Sequence, residues 1–128
     1  MTEPHRRFVV LQHTLAEATH WDLMLDQGEA LATWQLPENP VTLMQTGTPA
    51  PLPAQRIADH RRAYLDNEGP VSKNRGHVTR LDAGTYELLQ QQTGSWTIRL
   101  AGTRLIGTFR LTVTPLSSQN WLFQRDEP

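Results

Sequence analysis

The chain has no cysteine among its 128 residues. Thiol catalysis, Cys-ligated zinc and disulfide staples are excluded by that alone, although it does not fix the compartment. Long apolar runs are missing as well: Met1 to Arg7 is polar, and no stretch reaches the length of a signal-peptide core or a membrane span. The expected location is therefore cytoplasmic, with no membrane partner. Neither sign of charge is in excess, with 12 Lys and Arg against 13 Asp and Glu. No overall field draws the protein to nucleic acid, so any polyanion contact has to be local, through clusters such as Arg61-Arg62 or Lys73-Asn74-Arg75. Internal repeats and heptads are absent, and helical periodicity is scarce.

What is present is the pattern of a small β domain. A chain of this length can bury one core without a covalent or metal staple. Phe8 to Gln12 is an apolar run, and His20 to Leu25 alternates, placing His20, Asp22 and Met24 on one face with Trp21, Leu23 and Leu25 on the other. Leu31 to Leu36 ends at Pro37. Tyr86 to Leu89 and Trp96 to Leu100 read as strands around a turn at Thr93-Gly94-Ser95, followed by Leu105 to Val113 and a short strand at Trp121 to Gln124. Pro37 to Pro53 reads as a long irregular loop, with a helical turn or two expected in Ala54 to Leu65 and another in Thr14 to Thr19. The expected fold class is mainly β: a small closed or nearly closed antiparallel β-barrel of about seven or eight strands. Residues 8–125 form a single domain in this reading, and residues 1–7 and 126–128 are flexible tails.

The chemically capable side chains gather in two segments, Gln12-His13 with His20-Trp21-Asp22, and Asp59-His60-Arg61-Arg62-Ala63-Tyr64. Two imidazoles and a carboxylate suit a divalent metal, while a third His, a Tyr and nearby Arg suit an anion such as phosphate. Phosphoryl chemistry is the reaction class that this pairing suggests, provided the fold brings the segments together. Each residue also has a plainer reading. A lone His in a β domain is more often a hydrogen-bonded structural residue than a ligand, a Tyr is as often packing, and Arg61-Arg62 is more simply a solvated pair. Trp21, Trp34, Trp96 and Trp121 read as core or barrel-rim packing, and His5 and His77 receive no role.

Phe8-Val9-Val10-Leu11-Gln12-His13, then His20-Trp21-Asp22-Leu23-Met24-Leu25, then Trp34-Gln35-Leu36-Pro37, resembles the opening of the 3′-phosphoesterase module of bacterial DNA ligase D. Later blocks keep the family's order: Asp59-His60 with Tyr64, Glu68-Gly69, Asp82-Ala83-Gly84-Thr85-Tyr86, Gly102 to Leu111, and Asn120-Trp121-Leu122. The resemblance covers most of Phe8 to Arg125 and implies a β-barrel whose open end holds a metal and the 3′ end of a nucleic acid strand. The implied activity removes a terminal ribonucleoside and then the 3′-phosphate during DNA repair. His13, Asp22 and His60 match the family's metal ligands, with Mn²⁺ the expected ion and Zn²⁺ or another first-row ion an alternative. His20 and Tyr64 match the groups that contact the scissile phosphate, and Arg61, Arg62 and Arg75 are further phosphate-binding candidates. The implied partners are 3′ ends of DNA or DNA–RNA primer-templates, and separate end-joining repair proteins, for a short stand-alone family member.

The departures from the family pattern matter equally. The family has an arginine two residues after the aspartate, where this chain has Met24. Losing one charge-assisted donor at a transition state costs on the order of 2 to 4 kcal/mol. The interval from His13 to His20 is one residue longer than usual, and the block from Pro70 to Gly76 is shortened. An active metal-dependent phosphoesterase and a catalytically weak relative that binds nucleic-acid ends or another phosphorylated ligand are both consistent with these residues. A barrel for a small apolar molecule is a third option, for which a His-rich mouth is an odd choice.

Overall fold

The structure is a computed structural model that describes residues 6–47, 49–66, 69–70 and 76–126. Residues 1–5 and 127–128, Glu68 and the Lys73-Asn74-Arg75 cluster, with its phosphate-binding candidate Arg75, lie outside the described residues. The strands are β1 (Arg6–Thr14), β2 (Thr19–Asp26), β3 (Leu31–Leu36), β4 (Leu52–His60), β5 (Gly69–Pro70), β6 (His77–Gln92), β7 (Ser95–Ala101), β8 (Ile106–Val113) and β9 (Asn120–Arg125). Every pairing is antiparallel, in the order β1-β2-β3-β4-β9-β8-β7-β6, and β6 returns to pair with β1. Eight strands thus close the expected barrel, while β5 only flanks the start of β6. Closure depends on β6, whose first half pairs with β1 and whose second half pairs with β7.

Alternation sorts the side chains into two apolar layers. Phe8 and Val10 of β1 and Leu23 and Leu25 of β2 point inward to join Trp34, Tyr86, Ile98, Phe109, Leu111 and Phe123 in the main core. Val9 and Leu11, with Met24 of β2 and Leu31 of β3, face the other side and form a second buried cluster outside the barrel wall, covered by Leu65. β1 is therefore an unbroken apolar run because both of its faces are buried over the same residues. Leu65 belongs to a 3₁₀ helix at Arg62–Leu65. Arg62 ties this helix to the end of β2 through two hydrogen bonds to Asp26, at 2.9 and 2.8 Å.

The Asp82-Ala83-Gly84-Thr85-Tyr86 block is structural in this fold. The Asp82 carboxylate accepts the backbone N–H groups of Thr103, Arg104 and Leu105 at 2.9, 3.1 and 2.8 Å, which pins the β7–β8 connection. Gly102 lies against that carboxylate and against the Phe8 ring, and any Cβ there would collide with both. The Tyr86 hydroxyl donates to the Asp26 carbonyl at 2.8 Å, linking the main core to the end of β2.

Four expectations change. The helical turn expected in Ala54 to Leu65 is confined to Arg62–Leu65, and Leu52–His60 is a strand, where the sequence suggested loop followed by helical turns. The prolines obscured it: Pro53 pairs with Leu122 of β9, but β4 meets β3 only from Gln55 to His60, so Pro53 faces no β3 partner. Thr14 to Thr19 is a tight β1–β2 connection closed by the Leu15 N–H on the Ala18 carbonyl at 2.8 Å, not a helical turn. The proline-rich segment contains a 3₁₀ helix at Pro40–Met44, started by Pro40 and capped by Asn39, whose Leu43 is buried in the main core. At the chain ends, β1 takes in Arg6 and Arg7, and Asp126 accepts a hydrogen bond from Arg110, so residues assigned to the tails take part in the fold.

Candidate functional site

Strand register brings the two chemical segments together. Leu11 pairs with Asp22 and His13 with His20 across β1–β2, so His13, His20, Asp22 and Met24 share the outer face. His60, at the end of β4, pairs with Leu31 of the outer cluster, and the 3₁₀ helix that follows turns Tyr64 back beside it. His13, Asp22, His60 and Tyr64 line one cavity of about 230 Å³ with Leu11, Met24 and Val78. The site lies on the convex wall of the barrel over the second apolar cluster, where the family resemblance pointed to an open end.

The rings are close. His13 and His20 meet edge to face with centroids 4.8 Å apart, and His60 and Tyr64 do the same at 5.2 Å. His20 Nε2 stands 3.5 Å from Asp22 Oδ2. The Nδ1 of His60 lies 3.0 Å from the Ala58 carbonyl. A carbonyl only accepts, so Nδ1 carries the proton and Nε2 presents its lone pair.

Asp22 is the electrostatic centre of the group. It is 8% exposed, and its Oδ1 is buried with no hydrogen-bond partner among the described residues. Burial pushes its carboxyl above the usual carboxylate range, against the pull of the His20, His60 and His13 imidazoles. A buried carboxylate oxygen without a donor is unfavourable unless a cation or proton meets it. The donor set of two imidazoles and this oxygen fits a divalent first-row ion and leaves coordination positions over for substrate. Among the described residues, no three His, Asp or Glu side chains are already drawn to ligand spacing around one point, so holding an ion requires these side chains to close on it.

The nearby arginines divide by what they touch. Arg62 is engaged by Asp26, and Arg80 Nη2 donates to the Leu65 carbonyl at 3.3 Å. Arg61 is exposed, and its guanidinium has no partner among the described residues. Met24, in the place of the family arginine, is 1% exposed and packs into the outer cluster. Asp59 stands apart, 3.4 Å from Arg56, whose guanidinium lies 4.5 Å from the Trp34 ring centroid. The sequence gives no sign of the Asp26–Arg62 tie, which joins residues 36 apart. It is also silent on Leu11 and Val78 as cavity walls, since register alone puts them there.

The family model described as the DNA Ligase D 3′-phosphoesterase domain matches residues 12–113. Similar curated proteins include the multifunctional non-homologous end joining protein LigD of Mycobacterium bovis and the multifunctional non-homologous end joining DNA repair protein LigD of Mycobacterium tuberculosis. Each is 28% identical to this chain over 125 residues, which is 92% of the chain and 16% of the relative. The chain thus spans a small part of the length of the relatives it matches.

Proposed function

Because the chain belongs to the DNA ligase D 3′-phosphoesterase domain family, which supports a role in DNA repair, we propose that it is a metal-dependent phosphoesterase that heals 3′ ends. Its substrates in this reading are DNA or DNA–RNA strands ending in a ribonucleoside or a 3′-phosphate, and its working partners are other end-joining proteins. The observation that carries the proposal is the buried, donor-less Oδ1 of Asp22 in one cavity with His13 and His60.

His13, Asp22 and His60 would hold the ion, with Mn²⁺ the first candidate. When bound, a divalent ion supplies positive charge that polarises a phosphoryl oxygen. The protein's own groups do the rest. His60 is held in one tautomer by Ala58 and packs edge to face on the Tyr64 ring, which leaves Nε2 as its ligating nitrogen. His20 and the Tyr64 hydroxyl are the N–H and O–H donors for the nonbridging oxygens, whose charge grows in the transition state. Asp22 beside His20 holds that ring on the outer face.

Incubation with Mn²⁺ and labelled primer-templates ending in a ribonucleotide or a 3′-phosphate tests the reading. Turnover is expected, along with paramagnetic broadening of the His13 and His60 ring signals. His60→Ala is expected to lower turnover by ~10²- to 10³-fold or more and to remove the broadening of the His13 ring. Equal broadening and turnover in that variant would overturn the assignment. A second reading, binding of ends with weak turnover, has its own support: Met24 is buried in the place of the family arginine, and the nearby Arg62 is engaged by Asp26. Tight, His60-dependent binding of these strands without product would select it.

A further inference from the structure

A larger cavity, of about 640 Å³, opens beside the first. His20 lines it and also touches Asp22 of the smaller cavity, so the two adjoin. Gln35, Gln55 and Asn120 contribute its carboxamides, beside Thr19. These three are consecutive direct partners across β3, β4 and β9, and Asp22 of β2 begins the same row as the partner of Gln35. Neighbouring strands are about 4.8 Å apart, so the row leads from Asp22 to Gln55 over roughly 10 Å, the reach of one nucleoside.

Among the described residues the lining has no Lys, Arg, Asp or Glu, which makes it a poor phosphate site. The side-chain carboxamides of Gln35 and Gln55 have no hydrogen-bond partner among the described residues, whereas Asn120 Oδ1 accepts from Ser117 Oγ at 2.8 Å. A carboxamide offers a donor and an acceptor side by side, the pairing that a nucleobase edge presents. Leu15, Pro37 and Pro53 add apolar walls suited to a flat ring.

We propose that this cavity seats the base of a nucleoside bonded to the phosphate at His20 and Asp22, with Gln35 and Gln55 hydrogen-bonding the base edge. The proposal rests on the reading of the smaller cavity as the phosphate site. It makes the protein a reader of the nucleoside as well as of the strand terminus.

The test compares KM for strands that carry a normal nucleotide or an abasic one, either just upstream of the scissile phosphate or as the terminal ribonucleoside. Loss of the base on the seated side is expected to raise KM about 5- to 20-fold, and the position that responds identifies that side. In Gln35→Leu and Gln55→Leu the ratio of abasic to normal KM is expected to fall toward one. Gln35→Glu and Gln55→Glu, which keep the side-chain shape, serve if the leucine variants fail to fold. Hydrolysis that is indifferent to the base at both positions, or a preference that survives in every variant, overturns the proposal and leaves the phosphoesterase reading intact. A parallel measurement needs no turnover: NMR titration with nucleoside 3′-monophosphates and with base-free ribose 3-phosphate. Tighter, glutamine-dependent binding of the nucleotides without strand hydrolysis supports the base site and rejects the enzyme. Equal binding of the two ligands counts against the base site.

Discussion

The inner and outer faces of the β1–β2 wall are built from the same strands by different rules. Inside, Phe8, Val10, Leu23 and Leu25 meet side chains from around the barrel, and Trp34 packs edge to face on Trp96 and Trp121 at 5.1 and 5.6 Å. That core is enclosed and none of the candidate reactive groups lies in it. Outside, Val9, Leu11 and Met24 sit beside His13, His20 and Asp22, and the apolar part is covered by one short helix through Leu65. A fully covered outer face could not admit a substrate. The compromise is a small apolar cluster that fixes the backbone under the reactive groups, with a lid held by a few identifiable ties. Stability is thus concentrated inside, and reactivity stands on a lightly supported layer outside.

The sharpest way to separate the faces is to damage the inner one. Phe109 is fully buried and stacks on Phe123 with centroids 5.2 Å apart. Phe109→Ala is expected to cost about 3 to 5 kcal/mol, measured by urea or thermal unfolding. At a temperature where the variant remains folded, turnover per folded molecule should match the parent. A specific loss of turnover would mean that the two layers are mechanically one.

Leu65→Ala should show the opposite balance. The cluster it covers is smaller and nearer solvent, so the expected cost is about 2 to 3 kcal/mol, at the low end for a buried leucine. Leu65 follows Tyr64 in the 3₁₀ helix, so loosening it should displace the Tyr64 ring from His60. Turnover per folded molecule and Mn²⁺-induced broadening of His60 should then both fall, unlike in Phe109→Ala. Unchanged values for both would show that the helix is only a cover.

This contrast also explains what the sequence could reveal. The inner face was legible because each strand contributes alternate apolar residues, a period-two signal that needs no knowledge of partners. Strands at Leu31 to Leu36 and Trp96 to Leu100 stand out for that reason. β4 was hidden because Pro51 and Pro53 mark its start as loop, while its ladder to β3 begins only at Gln55. In the site, His13, His20, Asp22, His60 and Tyr64 could be named from residue type and family spacing. Their place on the convex wall could not, because apolar runs such as Val9-Val10-Leu11 do not say which residue looks inward. The Gln35-Gln55-Asn120 row was invisible for a deeper reason: it exists only once three strands are in register.

The smallest effect tests the tie between the layers. Asp26 is 6% exposed, yet it accepts Arg62 twice and the Gly28 N–H at 2.9 Å. Burial pushes its carboxyl up, but the Arg62 hydrogen bonds, the Gly28 N–H and the charges of Arg62 and Arg7 outweigh it, and the net shift is below the ordinary value. A carboxyl depressed by folding stabilises the folded state at pH above its unfolded pKa of about 3.9, and that contribution disappears as pH falls through the folded value. Because Arg62 is half exposed, solvent screens part of the interaction, and Asp26→Asn should lower Tm at pH 7 by only roughly 3 °C. The wild-type and variant Tm curves should start to converge as pH falls toward about 3.9 and meet once it drops below the lowered folded value, since the protonated wild-type side chain then resembles the amide. Curves that stay parallel over that range would show that Arg62 does not act through the Asp26 charge, and the lid would have to be held by Leu65 and by its other ties, such as Arg80 on the Leu65 carbonyl.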